Sequence, residues 1–217
     1  MNITKEEFDQ GVAVITPMLS FNWSCLDEPD YGDGKHFAKR PEGKGSYYVN
    51  VAIDPSESNS GWSVNGEKQT SGQAGFLAFL KELDTLSNDI AAAKSGEEVP
   101  KGPSVKLSKN DDRKAAGIFD SRFSMTETTG KGMAQRPTLA EANGQPTTHP
   151  QGMLVSTGRC SLTLFPALQS GMSRVTKYLK AVQVTGWRSG GGGGSDFDAV
   201  DPADSNVGSA AAEGVPF

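Results

Sequence analysis

The alternation of apolar and polar residues predicts several β-strands along this chain. The clearest lies in residues 46–54, where Tyr47, Val49, Val51 and Ile53 share one side and the residues between them share the other. Four other segments are rich in β-branched, aromatic and aliphatic residues, which is typical of strands. They are residues 11–25, 118–126, 153–165 and 174–187. Pro17 bends the first of them or divides it in two. In the last, the alternation slips near Lys180, which predicts a β-bulge.

One segment has the period of a helix. In residues 73–94, apolar side chains recur every three or four positions and form a single stripe, which is typical of a helix packed on a core, and Gly96 follows as a helix stop. The segments between these elements are rich in glycine, proline and polar residues, and they are predicted to be loops. These loops are residues 27–45, 56–72, 97–117 and 133–152, while residues 1–10 are predicted to be a frayed start or a short turn.

The order of the elements predicts a mainly β body. About five strands, with one helix after the second strong strand, lack the regular strand–helix alternation of a parallel sheet. A small antiparallel sheet or barrel with one added helix is therefore expected for residues 1–189. Residues 190–217 differ in composition, because five glycines and a serine open them, and they are expected to form a flexible linker and tail.

Charge also separates the body from the tail. The 217 residues contain 21 Lys and Arg and 26 Asp and Glu, which gives a net charge of −5. Every basic residue precedes residue 190 and five acidic residues follow it, so the body is formally neutral and the tail carries the whole net charge. An anionic arm of this kind can compete with nucleic acid for a cationic groove, and a free C-terminus can itself dock on a partner. The tail residues that bear on this are Asp196, Asp198, Asp201, Asp204 and Glu213, and the terminal Val215, Pro216 and Phe217.

Other features narrow the class of function. No stretch approaches the roughly 20 apolar residues of a membrane span, and the first ten residues lack a signal-peptide pattern, which favours the cytoplasm. The candidate soft metal ligands are Cys25, His36, His149 and Cys160, and none of them are paired at ligand spacing, so no metal or other cofactor is predicted. No G-x-S-x-G motif or complete phosphate loop occurs, and no catalytic residue is predicted.

Basic residues beside aromatic residues are the remaining candidates for chemistry. Binding of a single nucleic-acid strand needs cations along the phosphates and flat side chains that stack on bases. Ordinary solvated charges beside core aromatics are the alternative interpretation, which composition alone favours. The candidate cations are Arg40, Lys44, Arg122, Lys131, Arg136, Arg159 and Lys177, and the candidate stacking residues are Tyr48, Phe123, Phe165 and Tyr178.

Three segments together resemble the single-stranded DNA-binding proteins of T-odd-type short-tailed bacteriophages. The first comprises residues 29–32 (PDYG) and 44–51 (KGSYYVNV), which look like the family's loop and its following alternating strand. The second is residues 158–166 (GRCSLTLFP), which look like its penultimate strand. The third runs from residues 175–187 through the glycine run to residues 196–198 (DFD). The segments follow the family's order over most of the chain, although residues 96–150 match poorly.

The resemblance implies a five-stranded OB-fold barrel with one inserted helix. It also implies sequence-independent binding of single-stranded DNA in phage DNA replication, recombination and repair, within the cytoplasm of the infected host cell. The family's tail mediates dimer contacts, competes with DNA and contacts replication proteins such as DNA polymerase and helicase–primase. Lys44 falls where the family has a basic residue that touches DNA, and Phe165 is the candidate substitute for an aromatic that Ala167 replaces. The Val-Pro-Phe end is similar to the tip of bacterial single-strand binders, which implies docking on host repair and replication proteins.

Other origins of the tail and other functions stay open beside this one. The glycine-rich segment is also typical of an engineered linker or a solubility tag. A phage structural or assembly protein with a β-sandwich body and an exposed arm would co-purify with virions and would show no salt-sensitive binding to single strands. A small hydrolase would need His36 and His149 to converge on a nucleophile.

Overall fold

A computed structural model describes residues 3–32, 34, 39–58 and 60–189. The expected linker and tail, from residue 190 to Phe217, and His36 lie outside the described residues. The helices are α1 (Lys5–Gln10), α2 (Gly72–Ser95) and α3 (Asp111–Ala115). The strands are β1 (Val12–Ile15), β2 (Leu19–Asp30), β3 (Ser46–Ile53), β4 (Trp62–Val64), β5 (Glu67–Gln69), β6 (Lys106–Leu107), β7 (Phe119–Thr126), β8 (Thr138–Ala140), β9 (Met153–Gln169) and β10 (Met172–Ser189).

Five of the strands close into a barrel. They pair in the order β2, β3, β7, β10 and β9, and β9 pairs back onto β2. All of these pairings are antiparallel except the one between β7 and β10, which run parallel where Tyr178 lies opposite Ser124. α2 is inserted between the second and third barrel strands. This mainly β barrel with one inserted helix confirms the predicted OB-fold, and it is not the two-sheet sandwich that the structural-protein alternative requires.

The predicted apolar faces meet in one core. Val49, Val51 and Ile53 of β3 are fully buried, and so are Phe76 and Leu80 of the α2 stripe. α2 lies against β9, β10 and β3, so it covers part of the barrel. Among the helices that the structure describes, none combines the length and the apolar character needed to cross a lipid bilayer.

Residues 5–10 form an ordered helix, so the expected frayed start or short turn is wrong for them. The Thr4 hydroxyl accepts a hydrogen bond from the Glu7 backbone amide at 3.2 Å, and the Glu7 carboxylate accepts one from the Thr4 amide at 2.8 Å. This reciprocal pair is a capping box, which fixes the first turn of α1. The helix then places Phe8 in the core with no exposed surface.

Three segments that were expected to be loops contain separate ordered elements, and one of them, residues 133–152, includes β8. Residues 56–72 include the hairpin of β4 and β5, which turns at Asn65 and Gly66 with φ of 48° and 87°. Positive φ at both turn residues is the conformation that an Asn-Gly pair adopts most readily. The hairpin buries Trp62, whose ring lies 5.5 Å from that of Phe76 in α2. Residues 97–117 include β6 and α3.

Candidate nucleic-acid interface

The outer face of the barrel strands β2, β3, β7 and β10 is a continuous surface of polar and aromatic side chains. One row crosses all four strands, because Cys25 pairs with Tyr48, Tyr48 with Ser124, and Ser124 with Tyr178. The residue that follows Tyr48 in β3, Val49, is fully buried, so the alternation places this row outside. We call this surface the outer face.

An arginine lies directly on the central tyrosine of the outer face. The guanidinium carbon of Arg122 is 3.4 Å from the centre of the Tyr48 ring. Trp23 hydrogen-bonds the Tyr48 hydroxyl, while burial raises the pKa of Tyr48, so the ring stays a neutral phenol. A flat ring joined to a cation can stack on a base and contact its phosphate at the same place.

Trp23 belongs to the outer face although the alternation of β2 predicts otherwise. Phe21 and Trp23 are two residues apart, so a regular strand would place both on one side. The pairing of β2 with β3 shifts register between them, and the extra residue, Asn22, reverses the sides. Phe21 is therefore in the core, while Trp23 is half-buried outside it. No residue type in this segment marks the bulge, so the sequence gives no signal for it.

Two loops join at one end of the outer face and present exposed cations. The Thr128 hydroxyl donates to the Gly43 carbonyl at 2.7 Å, and the Tyr31 hydroxyl donates to the Glu127 carboxylate at 2.8 Å. The bond to Glu127 raises the pKa of Tyr31 to about 12. We call the joined segments, residues 39–45 and 127–133, the basic lip. Its exposed basic side chains are Lys39, Arg40, Lys44 and Lys131.

The structure therefore brings several predicted residues to one surface. Tyr48 and Arg122 form its centre, and the basic lip adds Arg40, Lys44 and Lys131 beside the start of β3. Tyr178 lies in the same row, where its hydroxyl donates to the Gln135 side chain at 2.5 Å. Phe165 pairs with Thr176 in the β9–β10 hairpin. It is therefore a diagonal neighbour of Tyr178, and the Cα atoms of such neighbours lie about 7–8 Å apart.

Two predicted contact residues point into the protein, and the structure contradicts their assignment. Phe123 has no exposed surface and packs in the core, so it cannot stack on a base. Lys177 lies opposite Leu164, between Val175 and Leu179, on the core-facing side of β10. Its ammonium group donates to the Ser104 carbonyl, and burial lowers its pKa to about 8. Neither side chain reaches the outer face.

Two other predicted cations do not belong to the basic lip. Arg136 is exposed but forms an ion pair with Asp27 at 3.4 Å, which offsets its charge. Arg159 lines a cavity of about 520 Å³ at the far end of the outer face, together with Ser20 and Ala52. Sequence reasoning missed Arg113, which lines the same cavity, because the segment that carries α3 was expected to be a loop.

The candidate metal ligands do not converge within the described part of the chain. Cys25 lies on the outer face, and burial raises the pKa of its thiol to about 11. Cys160 is fully buried in the core, and the His149 ring packs edge-on against Trp187 at 5.1 Å. Among the described residues, no three His, Cys, Asp or Glu side chains lie close enough together to hold a metal ion.

Comparison with known proteins finds similarity in structure alone. No protein-family model and no curated protein sequence matches this chain. The chain superposes on gp2.5, a single-stranded DNA-binding protein encoded by bacteriophage T7, with a TM-score of 0.57 and 13% identity over 94% of this chain and 98% of the other. It superposes on the single-stranded DNA-binding protein from bacteriophage Enc34 with a TM-score of 0.52 and 12% identity over 87% of this chain and 92% of the other. At these identities the likeness shows that the fold is shared.

Proposed function

We propose that this chain binds single-stranded DNA without sequence preference, through the outer face and the basic lip. The observation that carries the proposal is the stack of Arg122 on Tyr48 in the middle of the two barrel strands that OB-folds use for oligonucleotides. The loop between the first two barrel strands, which contributes to such sites, here supplies half of the basic lip. Two structures with this fold, from bacteriophages T7 and Enc34, are of single-stranded DNA-binding proteins, which supports the proposal.

The proposed mechanism combines ionic contacts to phosphates with stacking on bases. Arg40, Lys44 and Lys131 of the basic lip neutralise backbone phosphates and release condensed counterions. Bases stack on Tyr48, and along the same surface on Tyr178 and Phe165. An aromatic ring stacks on any base, because every base has a flat face, so binding tolerates all sequences. The protein acts by coating and protecting the strand and performs no catalysis.

The linker and tail supply the regulatory part of the proposal. Residues 1–189 form the nucleic-acid-binding domain, and residues 190–217 form an arm that competes with DNA for the cations. The support is the charge distribution, since the arm carries the whole net charge of −5 over a formally neutral body. Through its acidic residues and Phe217, the arm recruits replication proteins such as DNA polymerase and helicase–primase, and it contributes to a homodimer contact. The setting is phage DNA replication, recombination and repair in the host cytoplasm.

A fluorescence titration tests the proposed function directly. Unlabelled protein is titrated with single- and double-stranded oligonucleotides of one composition at two salt concentrations. Five cations, namely Arg122 and the four of the basic lip, by themselves contribute about −3.5 to the slope of log K against log salt on a single strand. The affinity for oligo-dT is therefore expected to fall at least about 100-fold between roughly 50 and 200 mM salt. The proposal is contradicted if the chain binds duplexes as tightly as single strands, or if the slope of log K against log salt is near zero.

Removal of the tail is expected to strengthen binding at low salt. A chain truncated after Ser189 lacks the competing anion, so it should bind oligo-dT more tightly than the full chain does. The difference should shrink at high salt, because salt screens the attraction between the arm and the cations. A matched control keeps the tail at full length but replaces its five carboxylates by amides, and it should bind like the truncated chain. Equal or weaker binding by the truncated chain contradicts the tail's role.

A further inference from the structure

We propose that Arg113, Arg159 and Arg188, at the cavity end of the outer face, form a separate phosphate-binding subsite. The ligand is a phosphate group of a nucleic-acid strand, held by guanidinium groups. This inference rests on the proposed function and extends it, because it names where the backbone of a bound strand is held beyond Tyr48.

Two of the guanidinium groups converge on one residue of β2. Arg113 donates to the side-chain oxygen of Asn22, and Arg188 donates to its backbone carbonyl. α3 holds Arg113 in place, since the Asn110 side chain caps this helix by accepting from the Arg113 amide at 3.0 Å. Two cations from distant parts of the chain therefore meet at the edge of the outer face.

The third arginine has no partner inside the protein. Arg159 lines the cavity of about 520 Å³ with Arg113, and its side chain forms no hydrogen bond or ion pair with the described residues. Its Nε atom is buried without an acceptor, and so is the Nε atom of Arg188. A buried donor without an acceptor costs free energy. The two terminal nitrogens of Arg159 are not among the buried atoms, so they are the donors that an incoming phosphate oxygen can reach.

Carboxylates lie near the three arginines without pairing with them. Within the described residues, no carboxylate forms an ion pair with any of them. The Asp120 carboxylate accepts a hydrogen bond from the side-chain amide of Asn22 at 3.0 Å. Asp54 also lines the cavity, and its carboxylate accepts a hydrogen bond from the Ser56 hydroxyl at 2.6 Å. Glu57 is the second carboxylate of the cavity lining. Burial, and after it the nearby charge of Arg113, lower the pKa of Arg188.

The ligand class follows from the guanidinium groups themselves, none of which forms an ion pair with a carboxylate among the described residues. Guanidinium groups present planar pairs of donors that match two oxygens of one phosphate, and they bind phosphate more specifically than lysine does. The subsite is also in line with the proposed strand path. Ala52 lines the cavity and Tyr48 lies four residues earlier in β3, about 13 Å away. That distance corresponds to about four nucleotides at the stacked spacing of about 3.4 Å.

Length-dependent binding tests the subsite. Oligo-dT probes of about 4 and about 16 nucleotides span the range of site sizes for one OB fold. Arg113→Ala should weaken binding of the long probe about 10-fold and make its salt slope less negative by about 0.7, since one phosphate contact is lost. The loss should be smaller for the short probe, because four nucleotides with one base on Tyr48 span three spacings, about 10 Å, which is less than the distance to the cavity. Lys114→Ala, which removes the same charge from the next residue of α3, is the matched control and should leave the long probe's affinity near the wild-type value.

Two further measurements decide between the possible outcomes. Arg159→Ala removes a side chain that has no partner in the fold, and it should reproduce the loss even where Arg113→Ala lowers stability. A 5′-phosphate on the long probe distinguishes the two sources of phosphate. A gain that disappears in Arg113→Ala assigns the subsite to a terminal phosphate, whereas no gain assigns it to an internal diester. The inference fails alone if both arginine variants bind the long probe like Lys114→Ala with no 5′-phosphate effect, and it fails with the proposed function if the wild-type chain binds neither probe.

Discussion

Replacement of Tyr48 by alanine is expected to lower the affinity for single-stranded DNA by about 5-fold to 150-fold. Stacking of one base on an aromatic side chain contributes about 1–3 kcal/mol, and Tyr48 is the ring at the centre of the outer face. The ring also supports Arg122, whose guanidinium carbon lies 3.4 Å from its centre, so the substitution frees a cation from its position. The loss is measured by titration with oligo-dT at fixed salt.

The matched control for this substitution is Tyr48→Phe. It keeps the flat ring beneath Arg122 and removes only the hydroxyl that Trp23 hydrogen-bonds. Its affinity should stay close to that of the wild-type chain, because stacking depends on the ring. If Tyr48→Ala also binds like the wild-type chain, the outer face is not the surface on which bases stack.

A double-mutant cycle separates the two roles of the ring. Arg122→Ala removes the phosphate contact but leaves Tyr48 free to stack on a base. If Tyr48 acts partly by holding Arg122, the losses of the two single variants add up to more than the loss of the double variant. Fully additive losses would show instead that the ring and the cation contact the strand independently.

The fold was predictable because its main strands obey simple alternation. The residues of β3 that share the side of Val49 are all buried, and the stripe of α2 packs on the barrel as its period predicts. The slip near Lys180 is also confirmed, since the pairing of β10 with β9 shifts register between Leu179 and Ala181. The alternation of apolar and polar residues indicates which side of a strand faces the core. Because a barrel has a single core, knowing that side for each strand is nearly enough to predict the architecture.

The candidate site was less predictable because it depends on register and on distant contacts. The bulge at Asn22 turns Trp23 outwards, and one residue of register is enough to reverse a strand's faces. Lys177 was expected outside because it is charged, yet it lies in the core-facing stripe of β10 and bonds a buried carbonyl. Arg113 and Arg188 meet at Asn22 across 91 and 166 residues of sequence. No local pattern reports such a meeting.

Replacement of Phe123 by alanine is expected to destabilise the protein by about 3–5 kcal/mol, which is the usual cost of removing a large buried aromatic ring. Phe123 is among the largest fully buried side chains, and it lies opposite Val49 where β7 pairs with β3. Its removal leaves a cavity between two strands that carry the outer face. The free energy of unfolding is measured by urea denaturation followed by tryptophan fluorescence.

Comparing Phe123→Ala with Phe165→Ala distinguishes the effect of losing a core ring from that of losing a surface ring. Phe165 is only partly buried, so its loss should cost far less stability than the loss of Phe123, while it removes a ring that is available to bases. Phe123→Leu keeps most of the buried volume and serves as the milder variant for DNA titration. At a temperature where it is folded, it should bind oligo-dT like the wild-type chain, because the side chain it changes never reaches the outer face. A binding loss in Phe123→Leu at unchanged stability would restore Phe123 as a stacking residue and would contradict its burial in the core.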